Sequence, residues 1–378
     1  ATPWLVGQLV TMHLKLLLVL ALCAIQVLGA QDTACTKAAT IIDDDELNAI
    51  VEKARERFLA TRPHPFTRLD STILIPQPDG TWLRGSFNQT EVAYPASCVK
   101  LAYLAASVHW CEQNGLSYDC LDSHVRPMIT VSDNFQTGVV VDYITETPNL
   151  PLTEYNDQFY AWLALRNYTM KYFDSKGLLE NQMIIHKTLP TNSGYDLNGA
   201  EQMARSLLGM NAMNPKCSAS LMFEISQGKI SANARRYMLQ VLNHQRESSY
   251  SSYGLGTPPG TLLYNKVGNA YDTLQEIAYM ILPNEQPFIL ATFTNGYESS
   301  EPEINNLMYY AELLIDSIPQ LNKNLPKKYV FDCSSPEFYA NGTYWHKGTA
   351  QDSYGEYFYY NLNPAGQLAG WQFTVQHN

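Results

Sequence analysis

The stretch Tyr94-Pro95-Ala96-Ser97-Cys98-Val99-Lys100 runs straight into Leu101-Ala102-Tyr103-Leu104-Ala105-Ala106-Ser107-Val108-His109-Trp110, and the rest of the chain is organised around it. Leu101, Ala102, Leu104, Ala105, Ala106 and Val108 fall on every side of a helical wheel, the pattern of a helix enclosed by other elements. Pro95 suits its first turn and Asn114-Gly115 its end. Ser97 and Lys100 are three apart and share a face, where a neutral amine can take a hydroxyl proton. The pair predicts a nucleophile with its base at the head of a buried helix. Alone it is a weak signal, because S-x-x-K arises roughly once or twice by chance in a chain of this length at ordinary residue usage.

Two later stretches strengthen it. Ser132-Asp133-Asn134 is much rarer by chance, and it precedes a helix expected over 135–144, for which Ser and Asp are also good N-caps. Lys266-Val267-Gly268 ends the first strand of an antiparallel meander expected over 261–267, 276–282 and 287–294. A lysine there points its charge into a cleft, and Gly268 lets a substrate lie against the strand edge.

Outward from these motifs, helical spacing predicts helices over 43–60, 196–208, 231–244 and 304–318. Strands are expected at 71–75 and 81–84 around the turn Pro78-Asp79-Gly80. Residues 146–195 are broken by Pro148, Pro151, Gly177, Pro190 and Gly194. Strands at both ends of a helical middle give a mixed α/β (α+β) class. An antiparallel sheet is built from the two ends of the unit, with an inserted all-helical lobe and the cleft where they meet.

The 378 residues, 46% hydrophobic and 16% charged, suffice for one large or two ordinary domains. Residues 1–30 are expected to be leader and signal peptide: Met12-His13-Leu14-Lys15, an apolar run over 16–28, then Gly29-Ala30. Residues 31–320 form the main domain, 321–328 a linker with three lysines and Pro326, and 329–378 a short all-β, Tyr/Trp/Gly-rich segment of a partial module. That organisation predicts export to an extracellular or periplasmic space, no membrane span and a monomer. A net charge of −11 with no basic block excludes a nucleic-acid partner. The eight histidines show no metal-ligand spacing and no Gly-rich phosphate loop follows a strand, so neither metal nor cofactor is expected. Six cysteines remain after Cys23 leaves with the signal, and Cys111 with Cys120 is the expected disulfide, because Asn114-Gly115 turns the chain between them. Sequons begin at Asn88, Asn167 and Asn341.

The ordered set Ser97-x-x-Lys100, Ser132-Asp133-Asn134 and Lys266-Val267-Gly268 resembles that of class A β-lactamases and related penicillin-binding enzymes. The resemblance covers roughly residues 47–318. It implies that Ser97 is acylated, that Lys100 is its base and that Ser132 relays the proton to the leaving nitrogen. Asn134 would bind the substrate's side-chain amide and Lys266 its carboxylate, with the oxyanion on the N–H groups of Ser97 and Asn269, beside Gly268. Three departures stand out. Val267 replaces the family's hydroxyl residue, the spacing from Ser97 to Ser132 is short, and no E-x-x-L-N loop is visible. Glu180 is the candidate deacylation base, with Asp174 behind it. The tail, through Gly342-Thr343-Tyr344-Trp345, Gly348-Thr349 and Gly355-Glu356-Tyr357, resembles the C-terminal β modules of golvesin and xanthan-lyase type proteins, which implies a glycan or surface ligand.

Three functions follow as expectations: a β-lactamase, a D,D-peptidase or other amidohydrolase that turns β-lactams over slowly, and a non-catalytic secreted binding protein. The substrate of the first two is a small molecule or peptide, a β-lactam or cell-wall-like.

Overall fold

The computed structural model describes residues 40–60, 66–180, 183–186, 198–245, 248–296, 306–325, 345–348 and 358–361. The expected signal segment, Cys35, Cys333 and Trp371 lie outside the described residues. The chain divides into two units, Ala1–Lys323 and Asn324–Asn378. In the second, β8 (Trp345–Gly348) pairs antiparallel with β9 (Phe358–Asn361).

The first unit holds a seven-stranded sheet of order β1-β3-β2-β7-β6-β5-β4. Its strands are β1 (Ile41–Asp43), β2 (Arg68–Pro76), β3 (Trp82–Phe87), β4 (Asn243–His244), β5 (Leu262–Ala270), β6 (Thr273–Ile281) and β7 (Pro287–Asn295). The expected meander is β5-β6-β7, and β2 joins it by pairing antiparallel with β7, which makes one sheet from the two ends of the unit. The interiors of β2, β6 and β7 are buried throughout, so both sheet faces are covered. On one face the Ser71 hydroxyl meets the Tyr310 hydroxyl at 2.6 Å. That face takes helices α1 (Asp45–Ala60) and α10 (Asn306–Ser317), joined by the Phe58 and Tyr310 rings 5.7 Å apart. The alternate residue Leu74 turns the other way, into the main core shared with the helical lobe.

The lobe comprises α2 (Lys100–Gln113), α3 (Asp119–Thr130), α4 (Asn134–Thr145), α5 (Asp157–Arg166), α6 (Tyr168–Ser175), α7 (Gly199–Leu208), α8 (Pro215–Ser226) and α9 (Ala232–Leu242). As the all-round apolar pattern predicts, every residue of α2 from Lys100 to Val108 is buried, and α3, α4, α6 and α9 pack about it. A short α11 (Pro319–Asn322) carries helix into the first residues of the expected linker.

β1, β4 and α8 escape the pattern reading, β4 because pairing with β5 takes Asn243–His244 out of the helix expected over 231–244. β1 is a three-residue edge strand, parallel to β3 and pinned by the Arg84 guanidinium on both Asp43 oxygens at 2.6 and 2.8 Å, and its last residue, Asp43, is where the sequence starts the first helix. α8 has no polar stripe to reveal a helical period, because it is wedged between lobe and sheet, with Phe223 edge-on to Trp82 at 5.4 Å. The expected Cys111–Cys120 disulfide is also corrected. Both are free thiols, with the sulfurs 3.5 Å apart, brought together by the turn at Gly115 (φ +64°).

Candidate functional site

Ser97 sits in a 3₁₀ turn, Ala96–Val99, rather than in the α-helix itself. The Lys100 N–H donates to the Ser97 carbonyl, and this i to i+3 bond eclipses the side chains of the two residues more closely than an α-helix would. Ala96 enters the turn at φ +46°, a left-handed conformation costly for a residue with a Cβ. Its neighbours are buried, and Ser97 is half-buried, so the hydroxyl is reachable.

Three contacts hold this turn against the sheet. A Cβ on Gly268 would lie 2.6 Å from the Pro95 oxygen and 2.9 Å from the Ser97 and Cys98 nitrogens, so β5 passes in backbone contact that only glycine allows. The Cys98 thiol donates to the Lys266 carbonyl at 3.2 Å. Gln275, opposite Gly268 in register, donates from Nε2 to the Tyr94 and Thr294 carbonyls at 2.9 and 3.2 Å.

Lys100 is fully buried. Its Nζ meets the Ser132 carbonyl at 2.5 Å, the Ser132 hydroxyl at 3.0 Å and the Asn134 Oδ1 at 2.7 Å. Burial, and then the charge of Lys266, hold its pKa well below the ordinary lysine value, against the opposing pull of Asp133. Ser132 is left-handed at φ +57°, and its carbonyl accepts from the lysine. Asp133 caps α4 by accepting from the Gln136 N–H at 2.9 Å, so the tripeptide serves as helix cap while its two flanking residues bind the lysine.

Lys266 is also buried, with Nζ on the Val267 carbonyl at 2.7 Å, and burial brings its pKa down to about 8. Behind it stands Glu276, an acid that sequence reading passes over. Its Oε1 accepts from Ser251 Oγ at 2.9 Å and Asn265 Nδ2 at 2.6 Å, and its Oε2 from the N–H groups of Ser252 and Tyr253 at 2.5 and 3.0 Å. Burial raises it to about 7 in spite of these four donors. The signal for it in the sequence is one acid inside the otherwise uncharged strand Thr273–Ile281. Asn269 is exposed at the edge of β5.

Glu180 stands apart from this group. Its oxygens accept from Asn214 Nδ2 and Lys216 Nζ, each at 2.7 Å, and no hydrogen bond ties it to Ser97, Lys100 or Ser132 among the described residues. Asp174 is exposed on α6. No group of three or more His, Cys, Asp or Glu residues able to hold a metal occurs among the described residues.

Residues 113–309, more than half of the chain, match the family model described as the beta-lactamase enzyme family. The chain belongs to that family. The matched segment contains Ser132, Asn134 and Lys266, while the Ser97 turn lies just before it. PBP-A is similar in fold, with a TM-score of 0.52 at 16% identity over 74% of this chain and 98% of that one. A class A beta-lactamase from Bacteroides cellulosilyticus matches with a TM-score of 0.52 at 12% identity, over 72% of this chain and 98% of that one. These two likenesses confirm the β-lactamase-like architecture expected from the motifs. Golvesin of Dictyostelium discoideum is 30% identical over 348 residues, 89% of this chain and 59% of its own length. This chain thus spans well under two thirds of that relative.

Proposed function

We propose that this member of the beta-lactamase family is an exported serine hydrolase that cleaves a cyclic or peptide amide through an acyl-enzyme on Ser97. The observation that carries the proposal is the buried Lys100 amine held between Ser132 and Asn134. As a neutral amine it has two N–H bonds for the Ser132 carbonyl and Asn134 Oδ1, and a lone pair left for a hydroxyl proton. Lys100 takes the Ser97 proton as Oγ attacks the substrate carbonyl, and the oxyanion rests on the N–H groups of Ser97 and Asn269. When the C–N bond breaks, Ser132 gives its proton to the departing nitrogen and recovers one from Lys100. Asn134 also receives the substrate's side-chain amide, and Lys266 draws its carboxylate.

The test is a fluorescent penicillin followed by gel and intact mass. Ser97→Ala should lose the adduct while its thermal unfolding stays nearly unchanged. An adduct that persists in Ser97→Ala moves the nucleophile elsewhere.

The two lysines also set a pH dependence. Acylation needs Lys100 neutral and Lys266 charged, so its rate rises with pH as Lys100 loses its proton and falls as Lys266 loses its own near pH 8. Because the lysines repel one another, the two limbs belong to the pair. The second-order labelling constant, followed from about pH 5 to about pH 10, should be bell-shaped, with its alkaline limb falling near pH 8. A rate still climbing at the alkaline end would remove the Lys266 charge from the reaction.

A second reading, an amidohydrolase or D,D-peptidase with slow β-lactam turnover, is favoured by the engagement of Glu180 with Lys216 and Asn214.

A further inference from the structure

The seam between the Ser97 turn and β5 continues past the oxyanion position to a pair of tyrosines that the proposed mechanism does not use. Gly268 lies against the backbone of Pro95, Ser97 and Cys98. Three residues farther along β5 and three residues back from Ser97, the Tyr271 and Tyr94 rings meet, with centroids 5.6 Å apart and planes tilted at 54°. Three extended residues span at most about 10 Å, so the backbone of the pair closes the seam within that distance of Ser97 and Gly268.

Tyr94 is fixed in place. Its carbonyl accepts from Gln275 Nε2 at 2.9 Å, and the residue is half-buried. Tyr271 is held quite differently. Ala270 pairs with Thr273, so Tyr271 and Asp272 make the two-residue turn from β5 to β6. Tyr271 takes φ +55° there, a left-handed conformation that such turns usually give to Asn, Asp or Gly and that is costly for a bulky residue. The closure of the turn does not need the ring: the Thr273 hydroxyl donates to the Ala270 carbonyl at 2.8 Å, and Asp272 Oδ2 accepts from the Gly296 N–H at 3.3 Å. Tyr271 is 61% exposed even while it touches Tyr94. Backbone strain retained on an exposed aromatic residue beside a reactive turn points to a ligand contact.

β5 also sets which part of a substrate reaches the pair. Lys266 is placed for the carboxylate, which a penicillin carries on the nitrogen side of its amide, and Asn269 for the oxyanion. The strand therefore reads from leaving-group side to acyl side, and Tyr271 comes next on the acyl side. Given the acyl-enzyme on Ser97, on which this inference rests, we propose that Tyr94 and Tyr271 form an aromatic platform that selects substrates whose acyl group ends in an aromatic ring. Such a ring packs on Tyr271 and takes its open surface out of water, whereas a small aliphatic acyl group leaves the platform bare.

The second-order acylation constant is measured on the full chain by intact mass, for benzylpenicillin and for the penicillin that carries acetyl in place of phenylacetyl. The parent should prefer the benzyl compound by at least about ten-fold, the worth of one aromatic contact with the area it buries. Tyr271→Asn, which suits the left-handed turn, should bring that ratio below about three, and Tyr271→Phe should keep it. A fault in folding or in the Ser97 turn lowers both constants and leaves their ratio, so the ratio separates selection from damage. In Ser97→Ala the same two penicillins are compared by binding alone, through the Tyr271 ring signals of ¹³C-tyrosine-labelled protein, assigned through Tyr271→Phe. A benzyl preference in binding without any adduct on the parent chain would sink the acyl-enzyme reading and keep the platform. Equal constants for the two penicillins in the parent, or a ratio unmoved by Tyr271→Asn, would overturn the platform itself.

Discussion

Lys266→Met is expected to make the protein more stable at pH 7 and less able to be acylated. A buried lysine with its pKa at about 8, against 10.5 unperturbed, is protonated at pH 7 in both folded and unfolded chains, and the folded chain bears the cost of the buried charge. At about 1.36 kcal/mol per pKa unit this cost is about 3 kcal/mol. Methionine fills similar space without the charge and forfeits one hydrogen bond, to the Val267 carbonyl, worth about 1 kcal/mol. A net gain of about 2 kcal/mol should raise the melting temperature by on the order of 5 °C. The sign fixes the pH window. Stability of the parent recovers as pH rises from about 8 toward 10.5, because the unfolded chain then binds more protons than the folded one. The advantage of the variant should shrink over that range and vanish above it. Labelling should fall roughly 10–100-fold, the worth of one charged contact to a substrate carboxylate. Thermal unfolding at pH 7 and pH 10, beside labelling rates, checks both halves. A variant less stable at pH 7 would mean that Lys266 has a structural partner stronger than any contact described above.

The second expected result is a burst of one equivalent of acylated Ser97 followed by slow release. Release needs a base beside the ester, with a lone pair free to take a proton from water. Burial alone would raise Glu180 toward that role, but Lys216 and Asn214 outweigh it and hold the carboxyl below the usual glutamate range, with both oxygens occupied. A missing base costs about 10²–10⁴-fold, or roughly 3–5 kcal/mol of barrier. Acylation is spared, since Lys100 and Ser132 serve it. Stopped-flow hydrolysis of a chromogenic cephalosporin, with covalent mass over time, should show the burst. Glu180→Gln should leave the slow phase within about two-fold of the parent if the carboxylate contributes no general-base step. Steady hydrolysis without a burst, or an acyl-enzyme trapped by Glu180→Gln, would return Glu180 to the role of deacylating base.

What could be read directly was whatever neighbouring residues encode. The unbroken apolar surface of Leu101 to Val108 announces a helix buried on all sides, and the alternation of β5, β6 and β7 announces a meander. Features whose meaning lies in distant partners were not legible. Cys111 and Cys120 were expected to be bonded, yet only their proximity follows from the turn at Gly115. α8 shows no stripe, because contact on all sides removes the polar face that would betray a helix. The three residues of β1 are too few to show a period, and the strand exists because β3 offers an open edge.

The site divides in the same way. The sequence by itself determined that Ser97 and Lys100 share a face at the head of a buried helix, that Ser132-Asp133 caps the helix that follows it, and that Lys266 ends a strand with Gly268 next in the chain, since each is a relation over a few covalent links. Only the tertiary structure decided that Ser132 and Asn134 close on the Lys100 amine, that β5 touches the Ser97 turn where a Cβ is absent, and that Gln275 and Glu276 brace it from the next strand. It also decided that Glu180 turns to Asn214 and Lys216. The physical reason is chain separation: spacing and local propensity govern residues three or four apart, whereas groups tens to hundreds of residues apart meet only once burial of the shared core has set the paths of the elements that carry them.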